Sequence, residues 1–337
     1  MDTDPPADQA PASSEASFQA VEHELLGGER RYTRTQVAER AGVDADLART
    51  LWRALGFPDV GDEEVAFTDR DIEALETVRS LVDSGVLDEE AQLSVTRAMG
   101  QSLSRLAEWQ VATITDALAQ AEPLKDQDPA VVARELVPVM ERLIGYVWRR
   151  HLAATAGRVL GGGDVEARSM AVGFADLVGF TSLTRHVSEE ELATLVDRFE
   201  GVAADTIAEL GGRVVKTVGD EVMFTADTAD TGAEIAVALS ERIGGDETLP
   251  DLRVGVACGT VLSRLGDVYG EPVNIASRLT SAARPGSVLV DRDLAGALEE
   301  DGRWRLRRVP PRPVRGYALL HAFRLRRADD PEGDAAH

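Results

Sequence analysis

Apolar positions in the first half of the chain recur at helical spacing, while those in the second half fall into short β-branched runs. From about residue 18 to 155 the pattern predicts one helix after another. Thr33 and Gln36 form a capping-box pattern ahead of QVAERAGV, and Gly42 offers a stop. Asp44 opens DADLARTLWRALGF, which Gly56 and Pro58 close, and Thr68 opens TDRDIEALETVRSLVDSGVL with Ile72, Leu75, Val78 and Val82 on one face. Two longer amphipathic helices are predicted at about 88–121 and 129–155, parted by EPLKDQDP.

Gly161-Gly162-Gly163 reads as a linker, and the texture changes beyond it. SMAVGFADL, GRVVKTV, EVMFTA, LRVGVACGTVL, SVLV, WRLRRV and LLHAFRL read as strands, with helices at 188–210, 230–244 and about 272–283 between them. In the first of these helices Ser188 and Glu191 make a second capping box, and Leu192, Leu195, Val196, Phe199, Val202, Ile207 and Leu210 form one apolar stripe. The layout is α+β, with helices expected on one face of a mostly antiparallel sheet, behind an all-α front domain. The expected division is a loose tail at 1–17, a helical domain at 18–157, a linker at 158–167, an α+β domain at 168–326 and an acidic tail at 327–337.

A net charge of −23 argues against a nucleic-acid-binding protein, because phosphate backbones need a basic surface. The lone cysteine, Cys258, lies in an apolar run and excludes an internal disulfide; a buried, inert thiol is expected there. No uncharged apolar run approaches the roughly 18–20 residues that span a bilayer. The acidic, Pro/Ala/Ser-rich start does not read as a signal peptide, so a cytoplasmic location is expected.

Three segments carry candidate chemistry. In FADLVGFTSL an apolar strand ends at Asp176 and turns through Gly179, so a carboxylate sits beside backbone N–H groups. That arrangement can hold a cation and phosphate oxygens together, though an aspartate merely capping a turn fits equally well. In GGRVVKTVGDEVMF, Gly219-Asp220 reads as a hairpin turn whose carboxylate can meet Asp176, and Lys216 lies four residues earlier in a β-branched run. Two converging carboxylates are the minimum for a two-metal site. In GDVYGEPVNIASRL, Asp267 precedes an aromatic-Gly turn, Pro272 starts a helix, and Asn274 and Arg278 share one helix face. Taken alone, that last segment reads as an ordinary polar surface helix.

Together the three segments resemble the catalytic domain of class III adenylate cyclases over roughly residues 168–325. The resemblance implies a ferredoxin-like catalytic fold. It implies that Asp176 and Asp220 bind two Mg²⁺ or Mn²⁺ ions per site, and that Val178, Gly179, Phe180 and Thr181 line the triphosphate. Lys216 and Asp267 would read the adenine edge, favouring ATP over GTP, while Asn274 orients the ribose and Arg278 meets transition-state charge. Arg315 in PVRGY is the expected counterpart of a triphosphate-binding lysine, in a register blurred by the preceding PPRP. Sites shared between two copies, hence a homodimer, are implied as well.

The stretch 32–87 loosely resembles the helix-turn-helix of merR-type regulators, which keeps a DNA-binding regulator with a nucleotide-sensing C-terminal domain as an alternative; guanylate cyclase is another. More of the front half is similar in layout to the regulatory domain of actinobacterial, pH-responsive adenylate cyclases, which implies autoinhibition relieved by acid. His151 and His186 are the candidate proton sensors, with plain surface histidines as the alternative. Trp109, Tyr146 and Trp148 are expected in a helical core, with an apolar ligand site as the alternative.

Overall fold

The computed structural model describes residues 10–86, 88–121, 127–160, 167–264, 266–314 and 317–329, and the chain divides into two compact units, 1–156 and 157–337. The first unit begins with α1 (Ala10–Leu26), α2 (Arg34–Ala41), α3 (Ala45–Leu55), α4 (Asp69–Asp83), α5 (Glu89–Gln120) and α6 (Pro129–Leu160). The capping signals place the helix starts: Thr33 and Gln36 close a reciprocal box at α2, and the Asp44 carboxylate accepts from the Asp46 and Leu47 amides at α3. Left-handed Gly42 and Gly56 end these two helices. Helix α1 starts inside the segment whose composition predicts a loose tail.

Helices α2, α3 and α4 bury Val37, Ala38, Ala41, Leu51, Trp52, Phe67 and Leu75 together, and the Trp52 and Phe67 rings lie 4.7 Å apart. Helix α5 packs on the end of α3 at Gly100, where a Cβ would stand 2.4 Å from the Leu55 carbonyl oxygen. Trp109, Tyr146 and Trp148 are not core residues of the chain: they stand 63%, 59% and 60% exposed. Helical periodicity locates an apolar face but does not say what covers it.

The second unit runs β1 (Ala167–Leu177), α7 (Phe180–Leu183), α8 (Glu189–Glu209), β2 (Arg213–Val218), β3 (Glu221–Ala226), α9 (Ala229–Gly244), β4 (Leu252–Arg264), β5 (Asp267–Tyr269), α10 (Glu271–Ala282), β6 (Ser287–Val290), α11 (Arg292–Leu298), β7 (Trp304–Val314) and β8 (Tyr317–Arg327). The strand order is β2-β3-β1-β4-β6-β8-β7, with β5 paired to β4. Its first part, β1-α8-β2-β3-α9-β4 with β1 between β3 and β4, is the ferredoxin-like split βαβ arrangement. All pairings are antiparallel except β4 with β6, which α10 connects.

Helices cover both faces of this sheet, not the one expected. Phe199, Ile207, Ile235 and Leu239 of α8 and α9 close over Leu177, Phe224, Val254 and Leu325 on one side. On the other side Ala276 of α10 packs with Phe174, Met223 and Ala257, and Leu279 with Leu289 and Ala322. The continuously apolar β4 hides this second face, because a strand buried on both sides loses its alternation. Register shifts interrupt β7 between Val309 and Val314, where prolines lack the N–H the ladder needs. No helix among the described residues is long and apolar enough to cross a membrane.

Candidate active site

The site is built at the edge where β1 ends. Asp176 stands in register opposite Glu221 of β3 and Arg253 of β4. Gly219, at φ +63°, and Asp220 form the two-residue turn between β2 and β3. The Leu177 amide donates to the Asp220 carbonyl at 3.0 Å, tying that turn to the end of β1. The Asp176 and Asp220 carboxyls are thereby brought within hydrogen-bonding reach of each other. Burial, then the Asp220 charge, pushes the Asp176 carboxyl up to about 6 against the opposing pull of Arg253. Glu221 is raised too, by burial and then by Asp176 and Asp220.

Such crowding of carboxylates is what a divalent cation relieves. Among the described residues no group of three His, Cys, Asp or Glu side chains is poised around one ion. Magnesium, however, is commonly held by one or two carboxylates with substrate phosphates completing its shell, so the aspartate pair fits the demand. Beyond Asp176 the chain turns through left-handed Gly179 into α7. The Val178 amide is committed to the Asp251 carbonyl at 2.8 Å, which leaves Gly179, Phe180 and Thr181 at the open helix start.

Lys216 and Asp267 meet although β2 and β5 are far apart in sequence: Nζ donates to Oδ2 at 2.6 Å. Partial burial pushes Asp267 up, but the Lys216 ammonium, the Val268 amide and Arg213 together hold it below the usual carboxylate range. A donor and an acceptor stand side by side there, both partly open to solvent. Asn274 is exposed and Arg278 half-buried on α10, and no hydrogen bond or ion pair joins either to Asp176 or Asp220 among the described residues. Helix α10 is seated by Gly255 of β4 and by Thr280, whose hydroxyl donates within the buried layer beside the Ala276 and Phe174 carbonyls.

Residues 165–326 match the family model of the adenylate and guanylate cyclase catalytic domain, and residues 6–153 that of the adenylate cyclase regulatory domain. An adenylate cyclase of Streptomyces coelicolor is 44% identical over 367 residues, covering 99% of this chain and 96% of that protein. The chain belongs to the class III adenylate cyclase family. Similar relatives include an adenylate cyclase of Glutamicibacter nicotianae, 40% identical over 91% of this chain and 81% of its own. A pH-sensitive adenylate cyclase of Mycobacterium tuberculosis is 34% identical, over 95% of this chain and 84% of that one. Among solved structures, the adenylyl cyclase CyaB from P. aeruginosa covers 52% of this chain and all of its own, at 21% identity and a TM-score of 0.43.

Two site residues of the cyclase are absent from the sequence reading. Arg253, directly across from Asp176, has a buried Nε with no hydrogen-bond partner, and Glu221 adds a third acid beside the aspartates. The available signal was a charged residue at the head of the apolar run LRVGVACGTV. Arg315 lies outside the described residues. His151 is exposed on α6, and the Nδ1 of exposed His186 donates to the Ser182 carbonyl at 2.7 Å. Burial pushes the Cys258 thiol up to about 12, which keeps it protonated and inert.

Proposed function

We propose that this adenylate cyclase converts ATP to 3′,5′-cyclic AMP and pyrophosphate at sites shared between two copies of the chain, under pH-linked restraint by its helical front domain. The observation that carries the reading is the approach of Asp176 and Asp220 to hydrogen-bonding reach at one end of the sheet. A pair of divalent ions, Mg²⁺ or Mn²⁺, held there would neutralise the triphosphate and make the ribose 3′-hydroxyl a better nucleophile. Lys216 donates to ring N1 of adenine and Asp267 accepts from its exocyclic amine, a pairing that guanine does not offer. Gly179, Phe180 and Thr181 present amides to the phosphates, and Arg253 adds a cation beside Asp176. Val178 lines the same turn, with its own amide engaged elsewhere.

Asn274 orients the ribose, and Arg278 meets the charge that grows on the α-phosphate as the 3′-oxygen attacks in line. Among the described residues no hydrogen bond or ion pair ties Asn274 or Arg278 to the aspartates of the same chain, which supports their working across a two-fold interface. Exposed Trp109, Tyr146 and Trp148 on the long front helices support a partner copy as well, since apolar surface of that size is seldom left to water. The name of the pH-sensitive mycobacterial relative supports the pH link, for which His151 and His186 are the candidate sensors. The merR-like reading has the internal ion pairs against it: Arg34 pairs with Asp59 and Asp62, Arg49 with Asp46 and Asp62, and Arg53 with Asp59. Cations already neutralised this way offer little to a phosphate backbone.

The test is turnover of ATP and of GTP by the purified chain, with and without a chelator. Cyclic AMP formation that the chelator abolishes and Mg²⁺ or Mn²⁺ restores is the expected result. Equal turnover of both nucleotides, or turnover that survives chelation, would overturn the reading.

A further inference from the structure

The run VVKTV sets a lysine among β-branched residues, and the ladder between β2 and β3 is irregular at that point. Val214 stands opposite Phe224 and Lys216 opposite Met223, so Val215 falls between these pairs as an extra residue of β2. In an uninterrupted strand, residues 214 and 216 would share a face. Here they do not. Val214 packs with Phe224 in the cluster covered by α8 and α9, whereas Met223, the partner of Lys216, belongs to the cluster beneath α10. A bulge of this kind sets two residues of one strand against one of its neighbour and bends the bulged strand. Val215 and Lys216 thereby both come to the α10 face, opposite Met223.

Their surroundings differ. Met223 is 2% exposed, so the place facing it on β2 is a place for an apolar group. Val215 fills it, packing against the cluster that holds Met223, Val268 and Ala276. An ammonium put there instead would lose its water without gaining a partner. Lys216 is left at the rim, its side chain 42% exposed, and reaches Asp267 of β5 at 2.6 Å. The same division recurs on β5, where Val268 is buried in that cluster and its neighbour Asp267 is the charged group at the rim. Asp267 is also fixed by its own strand, since the Val268 amide donates to its Oδ1 at 2.9 Å. Lys216 is aimed by the bulge.

We propose that Val215 is a positioning residue for base selection: the extra residue of the bulge takes the buried place opposite Met223 and so frees Lys216 to pair with Asp267. Preference for ATP over GTP then depends on the length of β2 rather than on the side chain at 215. The preference rests on the adenylate cyclase reading; the positioning of Lys216 does not, and two readouts separate them.

The first readout needs no nucleotide. The Lys216 amine of the full chain is labelled with trace acetic anhydride and followed by mass spectrometry, with the chain's other lysine, Lys125, as internal standard. In the parent, Asp267→Asn should raise the labelling of Lys216 several-fold, because the carboxylate no longer engages the amine. Once Val215 is deleted, the same substitution should change nothing. The second readout is turnover: deleting Val215 should lower the ratio of kcat/KM for ATP to that for GTP by about tenfold or more, approaching Lys216→Ala. Val215→Ala keeps the extra residue, so it should lower the melting temperature by a few degrees while retaining the labelling response and the nucleotide ratio. If the shortened chain does not fold, a variant of unchanged length, with Val215 deleted and an alanine inserted between Arg213 and Val214, carries both predictions. No response to Asp267→Asn in the parent, a response that persists after the deletion, or one lost in Val215→Ala overturns the positioning role. A lost response with an unmoved nucleotide ratio overturns the link to base selection and leaves the cyclase reading intact. A response lost with Val215 in a chain whose parent makes no cyclic AMP keeps the positioning role and removes that reading.

Discussion

Replacing Gly255 by alanine tests how far α10, the helix on which Asn274 and Arg278 are proposed to act, depends on backbone contact with the sheet. A Cβ at this position would stand 2.3 Å from the Thr280 amide nitrogen, 2.5 Å from the Ala276 carbonyl oxygen and 2.6 Å from the Thr280 hydroxyl. The first two are backbone atoms, so no rotamer change relieves them, and α10 must lift by about 1 Å to restore ordinary contact. Overpacking of this kind costs about 1–3 kcal/mol, and the immobility of the helix backbone puts Gly255→Ala near the upper end. In a unit of this size that lowers the catalytic-unit melting transition by roughly 6–12 °C. Because α10 carries Asn274 and Arg278, a lift of that size should also lower kcat by about a hundredfold. Gly296→Ala is the control: it lies inside α11 with nothing within 4 Å of a new Cβ, so it should stabilise by about 0.5–1 kcal/mol and leave kcat alone. Calorimetry and steady-state kinetics on both variants decide the matter. A Gly255→Ala protein that melts within about 2 °C of the parent and keeps its kcat would refute the argument that α10 rests on this glycine.

Mixing an Asp176→Ala chain with an Arg278→Ala chain, each inactive alone, should restore about a quarter of the parent activity at random pairing if sites are shared across a two-fold axis; no rescue counts against shared sites. Lys216→Ala should change stability by less than about 1 kcal/mol, because the Lys216–Asp267 pair is partly exposed, yet lower kcat/KM for ATP by about a hundredfold; a loss confined to stability contradicts a base-reading role. Asp291, buried at the start of α11 and accepting from the Leu294 and Cys258 amides, is pushed up to about 6 by burial. Its folded pKa lies above its unfolded one, so its contribution is full below about pH 4 and is lost as pH rises through 6. Asp291→Asn should therefore gain up to about 3 kcal/mol on the parent between pH 4 and pH 7 in denaturation experiments, and a pH-independent difference refutes this. His151→Ala or His186→Ala should shift the activity-versus-pH curve if either histidine is the sensor, and unchanged curves in both end that assignment.

Local signals were legible along the chain because they act over a few residues. The capping boxes at Thr33 and Ser188, the glycine stops at 42 and 56, and the Gly219-Asp220 turn stand where pattern and turn chemistry put them. The chemistry-bearing residue types were legible too, since Asp176, Asp220 and Lys216 are charges set in otherwise apolar, β-branched surroundings. What pattern does not encode is who faces whom. The pairing of Lys216 with Asp267 and the position of Arg253 across from Asp176 are set by strand register across the sheet. The second buried face of the sheet was hidden for the same reason, because β4 is apolar on both sides and shows no alternation. The exposed faces of α5 and α6 were misread as core, because an apolar stripe looks the same in a sequence whether or not another helix of the chain covers it. Sequence alone thus determined the elements, their ends and the inventory of reactive groups, all short-range consequences of backbone sterics and side-chain period. Convergence, burial and the resulting electrostatics belonged to the tertiary structure, because they depend on contacts between residues far apart in the chain.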